Sequence, residues 1–273
     1  MHESEDLPLG KETEYPKRYD PQLLSRIQRA KSRSRLYERN PSLNFGGVDL
    51  WTLYELNWIN LDGSPTAVVG ELRIPAQSKY TVESKSLKLY LNSLYYHQFE
   101  SVEAVQSEVE RVMSALVESP VELRLTSDDD YRPGERDYRF IDLDTLGADI
   151  SNQLKLDAIV GERHSGEHNL YKTDCFRSLC PVTSQPDWAS IYVGVSSIRL
   201  DGKGLAQYLL SYSEHNGFHE SCVEQIFADI LHIAEPEQLT VAARFTRRGG
   251  IDINPYRTTT DAVFEMPPRT IRQ

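Results

Sequence analysis

Long apolar segments are missing from this sequence of 273 residues: no run could cross a bilayer, and the N-terminus lacks the basic-then-apolar layout of a secretory signal. We therefore expect a cytoplasmic protein with no membrane partner. Positive charge is also in short supply, because 30 Lys and Arg residues stand against 41 Asp and Glu residues, and the net charge is −11. Such a surface neutralises phosphates poorly, so we expect no direct binding to nucleic acid.

Cysteine is scarce as well, with three residues in the chain. The odd number and the missing secretory signal argue against a disulfide framework. Cys and His are not spaced as in a zinc site, so we expect no metal. The segment Gly202-Lys203-Gly204 is followed by Gln207, where the dinucleotide-binding fingerprint of a Rossmann fold needs a third glycine. A Rossmann cofactor site is therefore not predicted.

What the sequence does contain is an internal repeat. Many residues of segment 87–103 recur in segment 205–224 at one constant spacing, with single-residue interruptions around the second phenylalanine. So many matches at one spacing indicate tandem duplication. The matching residues are Leu87, Tyr90, Leu91, Ser93, His97, Phe99, Glu100, Ser101 and Glu103 in the first copy, and Leu205, Tyr208, Leu209, Ser211, His215, Phe218, Glu220, Ser221 and Glu224 in the second.

The apolar periodicity predicts the same order of elements in both copies. In the first half, the predicted elements are strands at 50–60, 66–74 and 121–125 and helices at 86–98 and 101–117. In the second half, they are strands at 191–195 and 239–245 and helices at 204–213 and 219–234. We therefore predict an α+β fold in which each half has the order ββααββ, an antiparallel sheet with two helices on one face. The predicted halves are residues 1–148, with a leading arm, and residues 149–273.

Among the cysteines, Cys180 has the surroundings of a reactive thiol. It lies in a proline-rich turn, between Arg177 and Asp187. Such a turn holds a thiol outside regular structure, and a nearby cation favours the thiolate. These features alone are equally compatible with catalysis and with packing. Cys222, on the apolar face of a predicted helix, and Cys175 are interpreted as packing residues.

Three further motifs carry polar side chains that could bind a ligand, and each also has a simpler structural interpretation. Phe218-His219-Glu220 offers an aromatic ring and a carboxylate for a guanine-like edge, or an ordinary acidic first helical turn. Glu83-Ser84-Lys85-Ser86-Leu87-Lys88 could bind a ligand or cap a helix. Arg247-Arg248-Gly249-Gly250 could bind a phosphate or form a basic turn.

Together with Leu9-Gly10-Lys11, Tyr19-Asp20-Pro21 and the run from Cys180 to Trp188, these motifs resemble the QueF family of NADPH-dependent 7-cyano-7-deazaguanine reductases. The resemblance covers nearly the whole chain and includes Ile251-Asp252-Ile253-Asn254-Pro255 after the glycine pair. The length and the repeat match the bimodular form of the family. The resemblance implies two tandem tunnelling-fold (T-fold) domains and a homodimer that takes a small deazapurine and NADPH.

The resemblance also implies the chemistry. Cys180 attacks the nitrile carbon to form a covalent thioimide, and Asp187 donates a proton to the nitrogen. Two NADPH complete the reduction to the primary amine 7-aminomethyl-7-deazaguanine, which serves queuosine biosynthesis for transfer RNA. The implied binding residues are Val82, Glu83, Ser84, His219 and Glu220 for the base, and Ser84, Lys85, Arg248 and Gly249 for NADPH.

This chemistry agrees with the residue types. A nitrile carbon is a poor hydride acceptor, and thiolate addition creates a polarised C=N bond that an acid can protonate. An acid in this role must stay protonated near neutral pH, so we expect Asp187 to be at least partly buried. Because Cys180 and the segment 83–86 lie in different halves, we expect neither half to reduce a nitrile alone.

Two other functions remain as alternatives. A cyclohydrolase-type T-fold enzyme acting on a purine nucleotide would require zinc. A purine- or pterin-binding T-fold protein without catalysis would explain Glu220, but it would not explain Cys180 together with Asp187.

Overall fold

The computed structural model describes Gly10 and residues 14–126, 138–147, 156–259 and 261–273. The chain divides into two compact units that combine segments distant in sequence. Unit 1 comprises Met1–Ser34, Asp49–Arg132 and Arg247–Ile253, and unit 2 comprises Arg35–Val48, Pro133–Thr246 and Asn254–Gln273. The predicted boundary after residue 148 lies outside the described residues. No helix in the described part of the chain is long and apolar enough to span a membrane.

The described residues form five α-helices and eleven β-strands, so the predicted α+β class is confirmed. In chain order the elements are β1 (Arg26–Gln28), α1 (Arg29–Arg39), β2 (Gly46–Asn60), β3 (Pro65–Pro75), β4 (Tyr80–Val82), α2 (Ser84–Leu94), β5 (Gln98–Phe99), α3 (Val102–Val117), β6 (Glu122–Thr126), β7 (Ile141–Asp142), β8 (Glu162–Leu179), β9 (Pro186–Arg199), α4 (Gly202–Leu210), α5 (His219–Ala234), β10 (Leu239–Phe245) and β11 (Ile251–Thr258).

Unit 1 is built on the neighbouring strands β6, β3 and β2, and β5 pairs in parallel with the end of β2. The predicted strands at 50–60 and 66–74 are β2 and β3, which are neighbours in the sheet, and β3 pairs antiparallel with β6. Helices α2 and α3 bury their apolar faces in one core with these strands. That core includes Trp58, Leu72, Leu87, Tyr90, Leu91, Val105, Val109, Met113 and Leu123.

The predicted helix at 86–98 is wrong at both ends. It begins earlier, at Ser84, because the Glu83 side chain caps it. It ends at Leu94, because Gln98 and Phe99 pair with β2 and the Phe99 side chain is buried in the core. The apolar periodicity alone would extend the helix to residue 98, but Gln98 and Phe99 form a strand with β2 instead. After α3, the described residues of the first half contain β6 and the short strand β7.

Unit 2 has the strand order β11-β10-β9-β8-β7, with antiparallel pairing except between β7 and β8. The predicted bounds of α5 and β10 are confirmed. Helix α4 ends at Leu210, earlier than predicted, and a 3-10 turn follows at Ser211–Glu214. The element order β8-β9-α4-α5-β10-β11 therefore matches the predicted ββααββ order for this half.

Close packing requires a glycine at position 204. A Cβ atom on Gly204 would lie 1.8 Å from the backbone oxygen of Ala158, so only glycine lets the start of α4 approach that segment. Gly204 thus has a structural role in the packing of α4.

Candidate active site

Cys180 lies directly after β8 and begins the connection to β9. Its backbone N–H donates to the Gln185 carbonyl oxygen over 2.9 Å, and the Ser184 N–H donates to the Cys180 carbonyl oxygen over 2.9 Å. Residues 181–186 are exposed, whereas Cys180 is only 5% exposed. Cys180 is therefore buried although it lies outside regular secondary structure, as the proline pattern predicted.

The end of β8 has a neighbour on each side. Leu179 pairs with Pro186 of β9 on one side and forms an isolated parallel bridge with Asn216 on the other. The Leu179 N–H donates to the His215 carbonyl oxygen over 2.8 Å, and the Gly217 N–H donates to the Leu179 carbonyl oxygen over 3.0 Å. This arrangement brings the start of β9 and the segment leading into α5 to the end of β8, which directly precedes Cys180.

Asp187 and His219 meet beside this strand end. Asp187 pairs with Ser178 of β8 and is 4% exposed, so its expected burial is confirmed. The Nε2 atom of His219 lies 3.4 Å from Oδ2 of Asp187. The imidazole stacks on the Phe245 ring, with ring centroids 3.9 Å apart and an interplanar angle of 13°. An acid group and an imidazole are thus held together in a buried environment.

The neighbouring carboxylate, Glu220, is buried in the first turn of α5. Its charge acts on a second thiol, Cys222. Burial, followed by the negative charges of Asp187 and Glu220, raises the pKa of the Cys222 thiol to about 12, against an opposing effect of the Ser178 hydroxyl. Cys222 is fully buried, as predicted for a packing residue. Its proximity to Asp187 was missed, although the three-residue spacing from His219 on one helix places both on one face.

The interpretation of Cys175 as a packing residue is wrong. Cys175 is exposed, because the pairing of β8 with β9 is irregular between Thr173 and Phe176. Although the residue is exposed, partial desolvation of its sulfur, followed by the charge of Asp144, raises the pKa of this thiol.

Arg177, the cation expected to favour the Cys180 thiolate, makes contacts with three other residues. Its guanidinium donates to the Ser213 carbonyl oxygen over 2.6 Å and to the Glu214 carboxylate over 3.0 Å. It also lies 5.8 Å from the Trp188 ring centroid. Arg177 is thus paired with Glu214, and its expected effect on the Cys180 thiol stays a prediction.

In unit 1, Glu83 caps helix α2. Its carboxylate accepts from the backbone N–H groups of Lys85 over 2.8 Å and Ser86 over 2.7 Å. The Glu83 N–H donates to the Ser25 carbonyl oxygen, and the Ser25 N–H donates to the Ser86 hydroxyl. The structure thus brings Val82, Glu83 and Ser84 together at the end of β4, and the segment around Ser25 supports them. Sequence reasoning missed this support.

The turn at Arg247-Arg248-Gly249-Gly250 also lies in unit 1. The Arg248 N–H donates to the Ile251 carbonyl oxygen over 2.9 Å, and the two glycines have φ angles of 61° and 80°. A Cβ atom on Gly249 would lie 2.7 Å from Nζ of Lys88. The lysine of α2 and the glycine turn are therefore neighbours, and Lys88 joins the candidate phosphate-binding residues that the sequence identified.

Comparison with known proteins first gives a class. Residues 15–125 match the family model described as the N-terminal region of nitrile reductase, 7-cyano-7-deazaguanine reductase, and residues 186–263 match the model described as QueF-like protein. A protein of Burkholderia cenocepacia (strain HI2424) named NADPH-dependent 7-cyano-7-deazaguanine reductase is 42% identical over 274 residues, which cover 98% of this chain and 99% of that protein. A protein of the same name from Burkholderia multivorans is 41% identical over 279 residues with the same coverage. The chain belongs to the family of NADPH-dependent 7-cyano-7-deazaguanine reductases, as the motifs predicted.

The buried carboxylate of Glu83 gives a testable pH dependence. Burial raises the pKa of Glu83 above its ordinary value of 4.5, despite the opposing hydrogen bonds from the N-terminus of α2. A folded state with the higher pKa holds the proton more tightly. The contribution of Glu83 to the free energy of unfolding is therefore at its full value below pH 4.5, and it is lost as the pH rises through the raised pKa. We expect wild type to lose stability relative to Glu83→Gln over that window, as measured by urea unfolding between about pH 4 and pH 8.

A matched control should show the opposite sign. Glu103, in the first turn of α3, has its pKa lowered by its own backbone N–H and by Ser101. Wild type should therefore gain stability relative to Glu103→Gln as pH rises. Parallel curves for wild type and Glu83→Gln would contradict the inferred effect of burial.

Proposed function

We propose that this protein reduces the nitrile of 7-cyano-7-deazaguanine to the primary amine 7-aminomethyl-7-deazaguanine with NADPH, in the cytoplasm, as a step of queuosine biosynthesis. One observation carries the proposal: the buried thiol of Cys180 follows the strand that pairs with buried Asp187, and His219 contacts that acid. A nucleophile and a proton donor held together are what addition to a nitrile requires. Membership of the family indicates the substrate class.

Cys180 acts as the nucleophile and Asp187 as the proton donor in the first step. The Cys180 sulfur forms a bond to the nitrile carbon, one π bond of the C–N group breaks, and the nitrogen takes a proton from Asp187. The proton lost by the thiol replaces the one that the acid gives up, so the thioimide contains the whole nitrile. His219 holds the Asp187 carboxyl group through the contact at 3.4 Å.

The base would be recognised through carboxylates. Glu220 can accept two N–H bonds from a guanine-like edge, and His219 lies beside it at the start of α5. Val82, Glu83 and Ser84 would also line the base. Glu83 already accepts two backbone N–H bonds, and its Oε1 also accepts from the Ser84 hydroxyl over 3.5 Å, so Oε2 keeps a second lone-pair site for a ligand.

The residues proposed for NADPH fit a phosphate-bearing ligand. When bound, NADPH supplies the hydride of each of the two reduction steps. Ser84 and Lys85 lie at the start of α2, and Lys88 lies one turn further on, against Gly249. The positive φ angles at Gly249 and Gly250 open the backbone of this turn, and Arg248 adds a cation suited to phosphate. We propose these residues as the NADPH-binding set.

Substituting Gly249 should weaken NADPH binding selectively. A Cβ atom at this position would lie 2.7 Å from Nζ of Lys88, and the φ of 61° is strained for alanine. We expect Gly249→Ala to raise the KM for NADPH about tenfold, while thioimide formation in the absence of NADPH stays at the wild-type rate. Steady-state kinetics and intact mass measure the two quantities.

The matched control is Gly63→Ala. Gly63 also has a positive φ, of 85°, but no atom lies within 4 Å of the added Cβ. It therefore carries the same backbone strain without the contact at Lys88. An equal rise of the KM for NADPH in both variants would contradict the proposed binding set.

We further propose that residues 1–148 and 149–273 are tandem T-fold domains and that the protein acts as a homodimer. The element order β8-β9-α4-α5-β10-β11 and the repeated helix pairs support the first proposal. The net charge of −11 supports a free base, rather than transfer RNA, as the substrate. Light scattering in solution tests the dimer directly.

The deciding experiment mixes the protein with the cyano base and follows NADPH by absorbance. Oxidation of two NADPH per nitrile supports the proposal, and the absence of NADPH oxidation contradicts it. Binding of the base without oxidation would favour the non-catalytic alternative. Stoichiometric zinc in the purified protein, with turnover of a purine nucleotide, would favour the cyclohydrolase alternative.

A further inference from the structure

Within unit 2, the segment from Pro267 to Gln273 is fixed onto strands β9 and β10 at separated points. Nε of Arg244 donates to the Pro267 carbonyl oxygen over 2.8 Å. The Arg272 guanidinium donates to the Ser190 hydroxyl over 2.8 Å. Gln273 is 7% exposed, so its side chain enters the interior rather than lying on the surface. This segment therefore has a built docking position on the sheet.

The side-chain amide of Gln273 binds the end of β10. Its Nε2 atom donates to the Phe245 carbonyl oxygen over 3.0 Å and to Oδ1 of Asn254 over 2.7 Å. The same Asn254 oxygen accepts from the Phe245 N–H over 3.2 Å. Both backbone polar groups of Phe245 are thus held by the Gln273–Asn254 pair. Asn254 is fully buried, so water cannot easily replace the lost donor.

Phe245 in turn contacts the imidazole of His219 in the candidate site. Its ring stacks on His219, and its backbone lies opposite Ala189, two residues from Asp187 along β9. Nδ1 of His219 is buried and has no hydrogen-bond partner within the described ranges. The orientation of the imidazole therefore depends mainly on the Phe245 ring and on its contact with Asp187.

We propose that Gln273 is a positioning residue for the nitrile reduction: its amide fixes Phe245, and through that ring it holds His219 against Asp187. The inference rests on the proposed function, because it assigns a further residue to the same site. Within the described residues, the Gln273 side chain bonds Phe245, Asn254 and the Thr270 N–H, none of which belongs to the proposed catalytic or binding residues. Its effect on the rate passes through the stacked pair of Phe245 and His219.

The test replaces Gln273 by glutamate, which has the same shape. An ionised glutamate can only accept hydrogen bonds, so it cannot bond the Phe245 carbonyl oxygen or Oδ1 of Asn254, which are also acceptors. We expect kcat to fall about tenfold or more, while the KM for NADPH stays within about twofold of wild type. Thioimide formation on Cys180, followed by intact mass, should slow by the same factor. The control is Ile271→Ala, because Ile271 is fully exposed in the same segment and should keep wild-type kinetics.

A double-mutant cycle with Phe245→Leu tests the route. If Gln273 acts through the Phe245 ring, Gln273→Glu should cost much less in the Phe245→Leu background than in wild type. Should Gln273→Glu fold poorly, Gln273→Met removes the donor without adding a charge. Wild-type kcat in folded Gln273 variants, or fully additive effects in the cycle, would overturn the inference. An inactive wild type would instead overturn the proposed function, so the two failures are distinguishable.

Discussion

Replacing Cys180 by alanine should abolish nitrile reduction and covalent capture of the nitrile together. Without the sulfur, the hydride acceptor is the nitrile carbon itself, which reacts poorly. We expect kcat to fall by about 10³-fold or more, as when a catalytic nucleophile is removed from other enzymes. NADPH oxidation measures the rate, and intact mass in the absence of NADPH measures the adduct, which should contain the whole nitrile in wild type and be missing in the variant.

The other two thiols provide controls of different kinds. Cys175 is an exposed thiol of β8, and Cys175→Ala should turn over like wild type. Cys222 is a buried thiol in the same region as Asp187, yet its pKa of about 12 leaves only about one molecule in 10⁵ as thiolate at neutral pH. An adduct on Cys222 in the Cys180→Ala protein would contradict the assignment of the nucleophile.

The elements that the sequence predicted well are those with strong local periodicity. Helix α5 places Cys222, Ile226 and Ile230 on one buried face, and its predicted bounds agree with the structure. Strand β10 is buried at every position and short, and its bounds also agree. In both elements, the burial pattern within the segment determines the structure, so a single sequence carries enough information.

The elements that were missed depend on partners elsewhere in the chain. Strand β8 is long and largely polar, with exposed residues over much of its first half, and its structure comes from its extended pairing with β9. Helix α1 has a strongly polar composition and offers little apolar periodicity to find. Tertiary pairing overrides weak local preference in such segments.

The candidate site shows the same division. The resemblance to the family, rather than residue type alone, pointed to Cys180, Asp187 and His219, and the structure places Asp187 beside both β8 and His219. The roles proposed for Lys88 and Gln273 were not predicted. Lys88 lies beside Gly249, more than a hundred positions away, and Gln273 bonds Phe245, about thirty positions away. No local pattern encodes such contacts, so they became visible only in the folded chain.

Replacing Asp187 by asparagine should slow the reaction while leaving the fold intact. The side chains have the same shape, but asparagine cannot give up a proton to the nitrile nitrogen. We expect kcat to fall by about 10²- to 10⁴-fold, the range that general acid catalysis contributes. Thioimide formation should slow in parallel, because protonation of the nitrogen accompanies addition of the Cys180 sulfur. Single-turnover mass spectrometry measures that step by itself.

A suitable control is Asp201→Asn. Asp201 caps helix α4 by accepting from the Gly204 N–H, and asparagine caps helices as well as aspartate does, so the wild-type rate is expected. A second comparison separates acid catalysis from positioning. If Asp187 acted only by holding His219, then His219→Ala would cost as much as Asp187→Asn. The proposed acid role requires the larger loss in Asp187→Asn, about 3 to 5 kcal/mol of transition-state stabilisation, and equal losses would reassign Asp187 as a support for the imidazole.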